Sequence, residues 1–163
     1  MGNYHSNPVK HSLYDPLLIE KARIGIVTSE WNREITEALF SGAFDTLIKA
    51  GISKQNIICT NVPGSFELTL GSQWLAKQDN IDAVIILGCV IQGETRHFEF
   101  ICQAVSQGIT QVSLKYDKPV IFGLLTPDTH QQALDRAGGK YGNKGEEAAA
   151  TALKMIAGRD GKR

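Results

Sequence analysis

The chain reads as an α/β protein, with helices covering both faces of a parallel sheet. Two patterns predict this. Four short apolar, β-branched runs recur along the 163 residues, separated by stretches whose apolar side chains repeat at helical spacing. The third run, Ala83-Val84-Ile85-Ile86-Leu87, shows no polar alternation, as expected of a strand buried on both faces. Parallel neighbours need right-handed crossovers, so the alternation implies three layers, α/β/α, around a four-stranded sheet. The length suits one domain with a substantial core.

The elements follow in order. Arg23-Ile24-Gly25-Ile26-Val27-Thr28 is the first strand. Ile35, Leu39, Ala43, Leu47 and Ala50 then share one helical stripe, which Gly51 stops. Asn56 to Val62 is the second strand, closed by Pro63-Gly64. A helix runs from Phe66 to about Lys77, and the third strand follows. Phe98, Ile101, Val105, Ile109 and Val112 mark the next helix. Pro119 to Leu125 is the fourth strand. Thr126 is expected to cap a further helix, with Pro127 in its first turn and Ala137-Gly138-Gly139 at its end. Glu146 to Ile156 forms an Ala-rich last helix. Residues 1–22 read as an N-terminal arm, 23–157 as the domain and 158–163 as a disordered tail.

Composition excludes several classes. Lys plus Arg and Asp plus Glu both number 17, so the basic excess of a general nucleic-acid binder is missing. Near-neutrality also leaves little charge repulsion against self-association. Cys59, Cys89 and Cys102 lack metal-ligand spacing, and each reads as a small buried apolar residue in a reducing compartment. No run is long enough to span a membrane and no signal peptide is evident, so the expected setting is the cytoplasm. Met1-Gly2-Asn3-Tyr4-His5-Ser6 fits the permissive myristoylation pattern, without a polybasic second signal. The other reading is a free or partner-docked arm.

In a sheet of this kind, ligands bind beyond the carboxyl ends of the strands. Those ends carry Glu30-Trp31-Asn32, Gly64-Ser65-Phe66-Glu67 and Gly88 through Phe98. Trp31 is either a core tryptophan or a stacking platform for a planar ring. Asn32 is placed to cap the first helix. Glu67 is either a partner of the helix dipole or an acceptor for the hydroxyls of a polyol. Gly93, Thr95 and the free N–H groups of a helix start make an anion seat. His97 stands in that first turn, where the positive helix end favours a neutral imidazole able to take and return a proton. His5, His11 and His130 read as solvated. Arg136 and Lys144 flank a glycine-rich stretch that suggests tight turns.

Four blocks carry a specific resemblance. Val62-Pro63-Gly64-Ser65-Phe66-Glu67, Val90-Ile91-Gln92-Gly93-Glu94-Thr95-Arg96-His97-Phe98-Glu99, Asp135-Arg136-Ala137-Gly138 and Gly142-Asn143-Lys144-Gly145 are similar to the signature blocks of the lumazine synthase family. They occur in family order and spacing, and the resemblance runs from about Arg23 to Ala157. The resemblance implies a flavodoxin-like fold whose sheet is extended by the arm of a neighbouring subunit. It implies a reaction of riboflavin biosynthesis. The 5-amino group of 5-amino-6-(D-ribitylamino)uracil condenses with the ketone of 3,4-dihydroxy-2-butanone 4-phosphate. The Schiff base loses phosphate, and ring closure with loss of water gives 6,7-dimethyl-8-ribityllumazine. No metal or other cofactor is implied.

The resemblance also assigns roles. Trp31 stacks on the pyrimidine, and Asn32 beside it also binds substrate. Ser65, Phe66 and Glu67 hold the ribityl chain, and Val90 and Ile91 line the ring pocket. Glu94 and Thr95 offer backbone N–H groups to phosphate, and Arg136 adds its charge. His97 is the proton shuttle, Lys144 meets the pyrimidine edge, and Phe122 closes the site from the adjacent subunit. Many relatives carry arginine at the position of Gln92 and a small residue at that of Glu94. The Glu94 side chain is expected to turn away from the phosphate, toward Arg96. The implied assembly is a homo-oligomeric pentamer. The absence of an insertion between the last two helices points to a 60-subunit icosahedral shell of twelve pentamers. Whether riboflavin synthase is a partner is left open. A non-catalytic lumazine or flavin binder, or a shell protein, on the same scaffold is the alternative.

Overall fold

A computed structural model describes residues 15–160. The four apolar runs form β1 (Ile24–Ser29), β2 (Ile57–Val62), β3 (Ala83–Cys89) and β4 (Val120–Leu125). They make one parallel sheet in the order β2-β1-β3-β4. Around it lie α1 (Pro16–Lys21), α2 (Arg33–Lys49), α3 (Leu68–Ala76), α4 (His97–Tyr116), α5 (His130–Leu134) and α6 (Lys144–Asp160). A small antiparallel hairpin, β5 (Ala137–Gly139) with β6 (Gly142–Asn143), precedes α6. This is the three-layer, flavodoxin-like arrangement expected from the sequence.

The period of two along each strand divides one apolar run between two cores. Ala83, Ile85, Leu87 and Cys89 of β3 join Ile24 and Ile26 of β1 against α2 and α6. Val84 and Ile86 join Val27 on the opposite face, against α3 and α4. The predicted stripe of α2 is buried at Ile35, Leu39, Ala43 and Leu47. Gly51 follows with φ 100°, the left-handed conformation that glycine adopts without a Cβ clash.

Helices α2 and α6 meet through missing side chains. A Cβ at Gly145 would stand 1.9 Å from the Leu39 carbonyl oxygen. Asn143 bridges the same contact. Its Nδ2 donates to the Ala38 carbonyl at 2.9 Å, and its Oδ1 accepts from the Gly145 N–H at 2.8 Å. One side chain thus caps α6 and pins it to α2.

Several local expectations are corrected. Thr126 does not cap a helix. The Pro127 carbonyl accepts from the Gln92 N–H at 2.9 Å, which ties this segment to the loop after β3. Thr129 caps α5 instead, its Oγ1 accepting from the Gln132 N–H at 3.2 Å. Ala137-Gly138-Gly139 does not end a helix but opens the hairpin, with φ 115° at Gly138 and 80° at Gly142. The last helix begins two residues earlier than expected and continues through Gly158 to Asp160. Its end is held where Arg159 Nη2 donates to Asp82 Oδ1 at 3.0 Å. Residues 16–21 form α1, whose Ile19 is buried in the core. Only Cys89 is fully buried; Cys102 is half-buried and Cys59 is exposed on β2. The Gly2 pattern and residues 161–163 lie outside the described residues.

The α2–α6 contact gives two substitutions of opposite sign. Gly145→Ala drives a methyl into a backbone carbonyl and should cost about 3 kcal/mol. Gly158→Ala, in the same helix with nothing within 4 Å of the added carbon, should stabilise by about 0.5–1 kcal/mol. Denaturant midpoints at equal protein concentration measure both.

Candidate active site

The sheet sets the position of the site. Pairing of β1 with β2 runs to Ser29↔Val62, and that of β3 with β4 to Cys89↔Leu125. Pairing between the central strands β1 and β3 stops earlier, at Thr28↔Leu87. Beyond it the chain leaves β1 toward β2 and leaves β3 toward β4, so a crevice opens at this switch point.

A cavity of ≈ 610 Å³ occupies the crevice, lined by Trp31, Asn32, Gly64, Ser65, Phe66, Glu67, Val90, Ile91, His97 and Ile101. Trp31 is 72% exposed, which decides against the core reading and leaves the indole at the cavity wall. Its Cδ1 would be 3.3 Å from a Cβ on Gly64, so the glycine lets the indole lie close to the second loop. Glu67 serves the helix start. Its Oε2 accepts from the Gly64 N–H at 3.0 Å, and its other oxygen makes no hydrogen bond among the described residues. Among the described residues the buried Ser65 hydroxyl has no partner, an arrangement that a ligand hydroxyl would complete. Asn32 lines the cavity but does not cap α2 with its side chain. Its Nδ2 donates instead to the Cys89 carbonyl at 2.9 Å.

The 20-residue helix α4 begins at His97, with its free N–H groups at the cavity edge. Thr95 Oγ1 stands 3.4 Å from the His97 backbone nitrogen. A Cβ at Gly93 would meet nothing within 4 Å. Neither packing nor a positive φ therefore demands this glycine. Glu94 is exposed and makes no ion pair with Arg96. Arg96 pairs with Glu99 at 3.1 Å and lies over the Phe100 ring at 5.7 Å. The expected turn of Glu94 toward Arg96 is thus replaced by a helical i,i+3 pair.

The other predicted site residues lie elsewhere on the chain. Phe122 and Lys144 line a separate cleft of ≈ 420 Å³ between β4 and α6. The Lys144 ammonium pairs with Glu147 at 2.5 Å. Arg136 donates from Nη1 to the Gln132 carbonyl at 3.0 Å, and its guanidinium lies 4.9 Å from the Tyr141 ring centre. Gly64 and Ile101 line the cavity without having been singled out. Ile101 is one turn after His97, so helical spacing could have found it.

Comparison with known proteins decides the family. The 6,7-dimethyl-8-ribityllumazine synthase family model matches residues 21–159. The chain belongs to this family. A 6,7-dimethyl-8-ribityllumazine synthase of Cytophaga hutchinsonii is 70% identical over 133 residues, covering 82% of this chain and 84% of the relative. One of Parabacteroides distasonis is 59% identical over 133 residues, covering 82% and 83%. One of Flavobacterium johnsoniae is 53% identical over 147 residues, covering 88% and 77%. The four blocks quoted above lie inside the matched region.

Beneath the cavity, burial pushes the Cys89 thiol from the ordinary 9.0 up to about 12. The folded state then holds the thiol proton more tightly than the unfolded chain does. The associated stability is fully present below pH 9.0 and is lost as pH rises toward 12. A bulky thiol reagent at about pH 8 should leave Cys89 unmodified until denaturant is added. Peptide mapping before and after unfolding measures this.

Proposed function

We propose that this chain catalyses the lumazine-forming step of riboflavin biosynthesis. It joins 5-amino-6-(D-ribitylamino)uracil to 3,4-dihydroxy-2-butanone 4-phosphate and releases phosphate and water. The observation that carries this reading is a single cavity at the switch point. It combines an aromatic platform, an unpaired buried hydroxyl, a carboxylate oxygen without a donor, and an imidazole beside a helix N-terminus.

Each part suits one portion of the chemistry. Trp31 offers a face for the pyrimidine. Ser65 and Glu67 offer hydrogen bonds to the ribityl hydroxyls, and Val90 and Ile91 form the ring wall. The backbone at Gly93, Glu94 and Thr95, with the start of α4, receives the phosphate of the second substrate. The amine attacks the ketone, and water leaves as the imine forms. His97 takes a carbon-bound proton as phosphate departs, and returns protons as the ring closes with loss of a further water. Binding that holds amine and ketone together supplies the rest of the rate.

The chain is incomplete as a site by itself, and this supports an oligomer. Phe122, Lys144 and Arg136, which the reaction also needs, are outside the cavity. A head-to-tail contact would bring the β4–α6 cleft of one subunit to the cavity of the next, and such heterologous contacts close into rings. Exposed Phe66, Leu70, Trp74 and Phe100, with Leu114 and Met155 elsewhere on the surface, offer apolar area for these contacts. The ring in this reading is a pentamer. The short hairpin between α5 and α6 leaves room for twelve pentamers to close into a shell. No helix among the described residues is long and apolar enough to cross a membrane, and the reading places the assembly in the cytoplasm.

Mixing the protein with both substrates and following lumazine absorbance tests the reaction. The expected result is a rate well above the uncatalysed condensation, and its absence would end this reading. His97→Ala should lower kcat by about a hundredfold while product still binds. Sedimentation velocity tests the assembly, with a shell-sized boundary expected. Free pentamers in every buffer and phosphate concentration would refute the shell, and monomers would refute the shared site.

A further inference from the structure

We propose that Asn32 is a positioning residue that sets the width of the ring slot, rather than a group that binds substrate. The inference rests on the reading of the cavity given above. It comes from an interruption in the sheet. At the rim, β1 remains joined to β2, because Glu30 N–H donates to the Val62 carbonyl at 2.9 Å. Strand β3 remains joined to β4, because Val90 N–H donates to the Leu125 carbonyl at 2.9 Å. Between β1 and β3 no backbone pairing continues past Thr28↔Leu87. The Asn32 side chain supplies the rung that the backbone omits, through its bond to the Cys89 carbonyl.

The backbone at this residue explains why an asparagine can do it. Asn32 has φ 56° and ψ 50°, a left-handed conformation that asparagine tolerates better than most residues with a Cβ. That turn directs the carboxamide across the crevice while the Asn32 carbonyl starts α2, accepting from Ile35 N–H at 2.9 Å and Thr36 N–H at 3.1 Å. The bond joins the residue after Trp31 to the residue before Val90. Trp31 is one wall of the slot; Val90 and Ile91 are the other. A tie between their neighbours fixes the separation of the walls. One N–H of the carboxamide is committed to this tie before any ligand arrives.

The variants separate the tie from the backbone conformation. Asn32→Gly keeps access to the left-handed turn and deletes the side chain. Asn32→Asp keeps the shape and the turn but loses the donor. Both should raise the KM for the pyrimidine substrate about tenfold. The KM for the butanone phosphate should stay unchanged, and kcat should fall less than about threefold. The separating measurement is amide exchange in the ligand-free assembled protein. Val90 and Gln92 N–H groups, both hydrogen-bonded across the rim, should exchange about tenfold faster in either variant. Weakened pyrimidine binding with unchanged exchange would make Asn32 a direct ligand and overturn the proposal. Faster exchange with unchanged KM would overturn it too, because the slot width would not matter. Failure of the wild-type protein to make lumazine would sink the proposed reaction, whereas the exchange result would still report on the tie.

Discussion

The separation of β1 and β3 at their carboxyl ends is the constraint from which the site follows. Two adjacent parallel strands lose their pairing there, because their continuations cross to opposite sides of the sheet. Unpaired backbone at the rim needs partners. The chain meets this need in part with the Asn32 carboxamide, and the remaining space is the cavity. The loop after β2 reaches the same place because Gly64 lacks a side chain beneath Trp31. The helix start after β3 reaches it because α4 begins at His97. Trp31, Glu67 and His97 share one volume as a result of topology.

Much of the fold was legible because its signals are periodic. The apolar runs at 24–29, 57–62, 83–89 and 120–125 stand within one or two residues of where the sequence places them. The stripe of α2 was equally plain, and Gly51 stopped it for the expected reason. Failures fell where one hydrogen bond outweighs pattern. Thr126-Pro127 has a sound helix-start composition, yet the Pro127 carbonyl is drawn to the Gln92 N–H. Asn32 looks like a cap, but its left-handed backbone turns the carboxamide to another strand. Neither long-range partner has a sequence signature. Cys59 was misjudged because a cysteine on an edge strand has an outer face that composition does not reveal.

The candidate site divides in the same way. Residues at strand ends could be chosen by the topology rule alone, and most of them line the cavity. Phe122, Arg136 and Lys144 could not, because they do not stand at the switch point between β1 and β3. Arg136 and Lys144 were singled out by family blocks and by the glycines between them, Phe122 by the resemblance alone, and the fold places all three apart from the cavity. The block Gly142-Asn143-Lys144-Gly145 shows why similarity and role differ. Asn143 and Gly145 serve the α2–α6 contact, and Lys144 alone presents a charge to the open cleft. A block recognised as one unit thus mixes packing with chemistry.

The division of the proposed site between subunits has an energetic logic. Lys144 already has a carboxylate partner in Glu147, and Arg136 already has a carbonyl and an aromatic ring. Held this way, each cation is positioned on its own scaffold before assembly, and less side-chain entropy is lost when a ligand arrives. The cavity, by contrast, presents an unpaired hydroxyl and free helix N–H groups that gain most from an incoming ligand. One face therefore brings settled charge and the other brings unmet hydrogen bonding. In the proposed ring, joining two copies head to tail would place these beside each other, and every protomer would contribute to both kinds of half. In such an arrangement substrate binding and subunit contact strengthen one another, since a ligand held by both halves favours the closed ring by mass action.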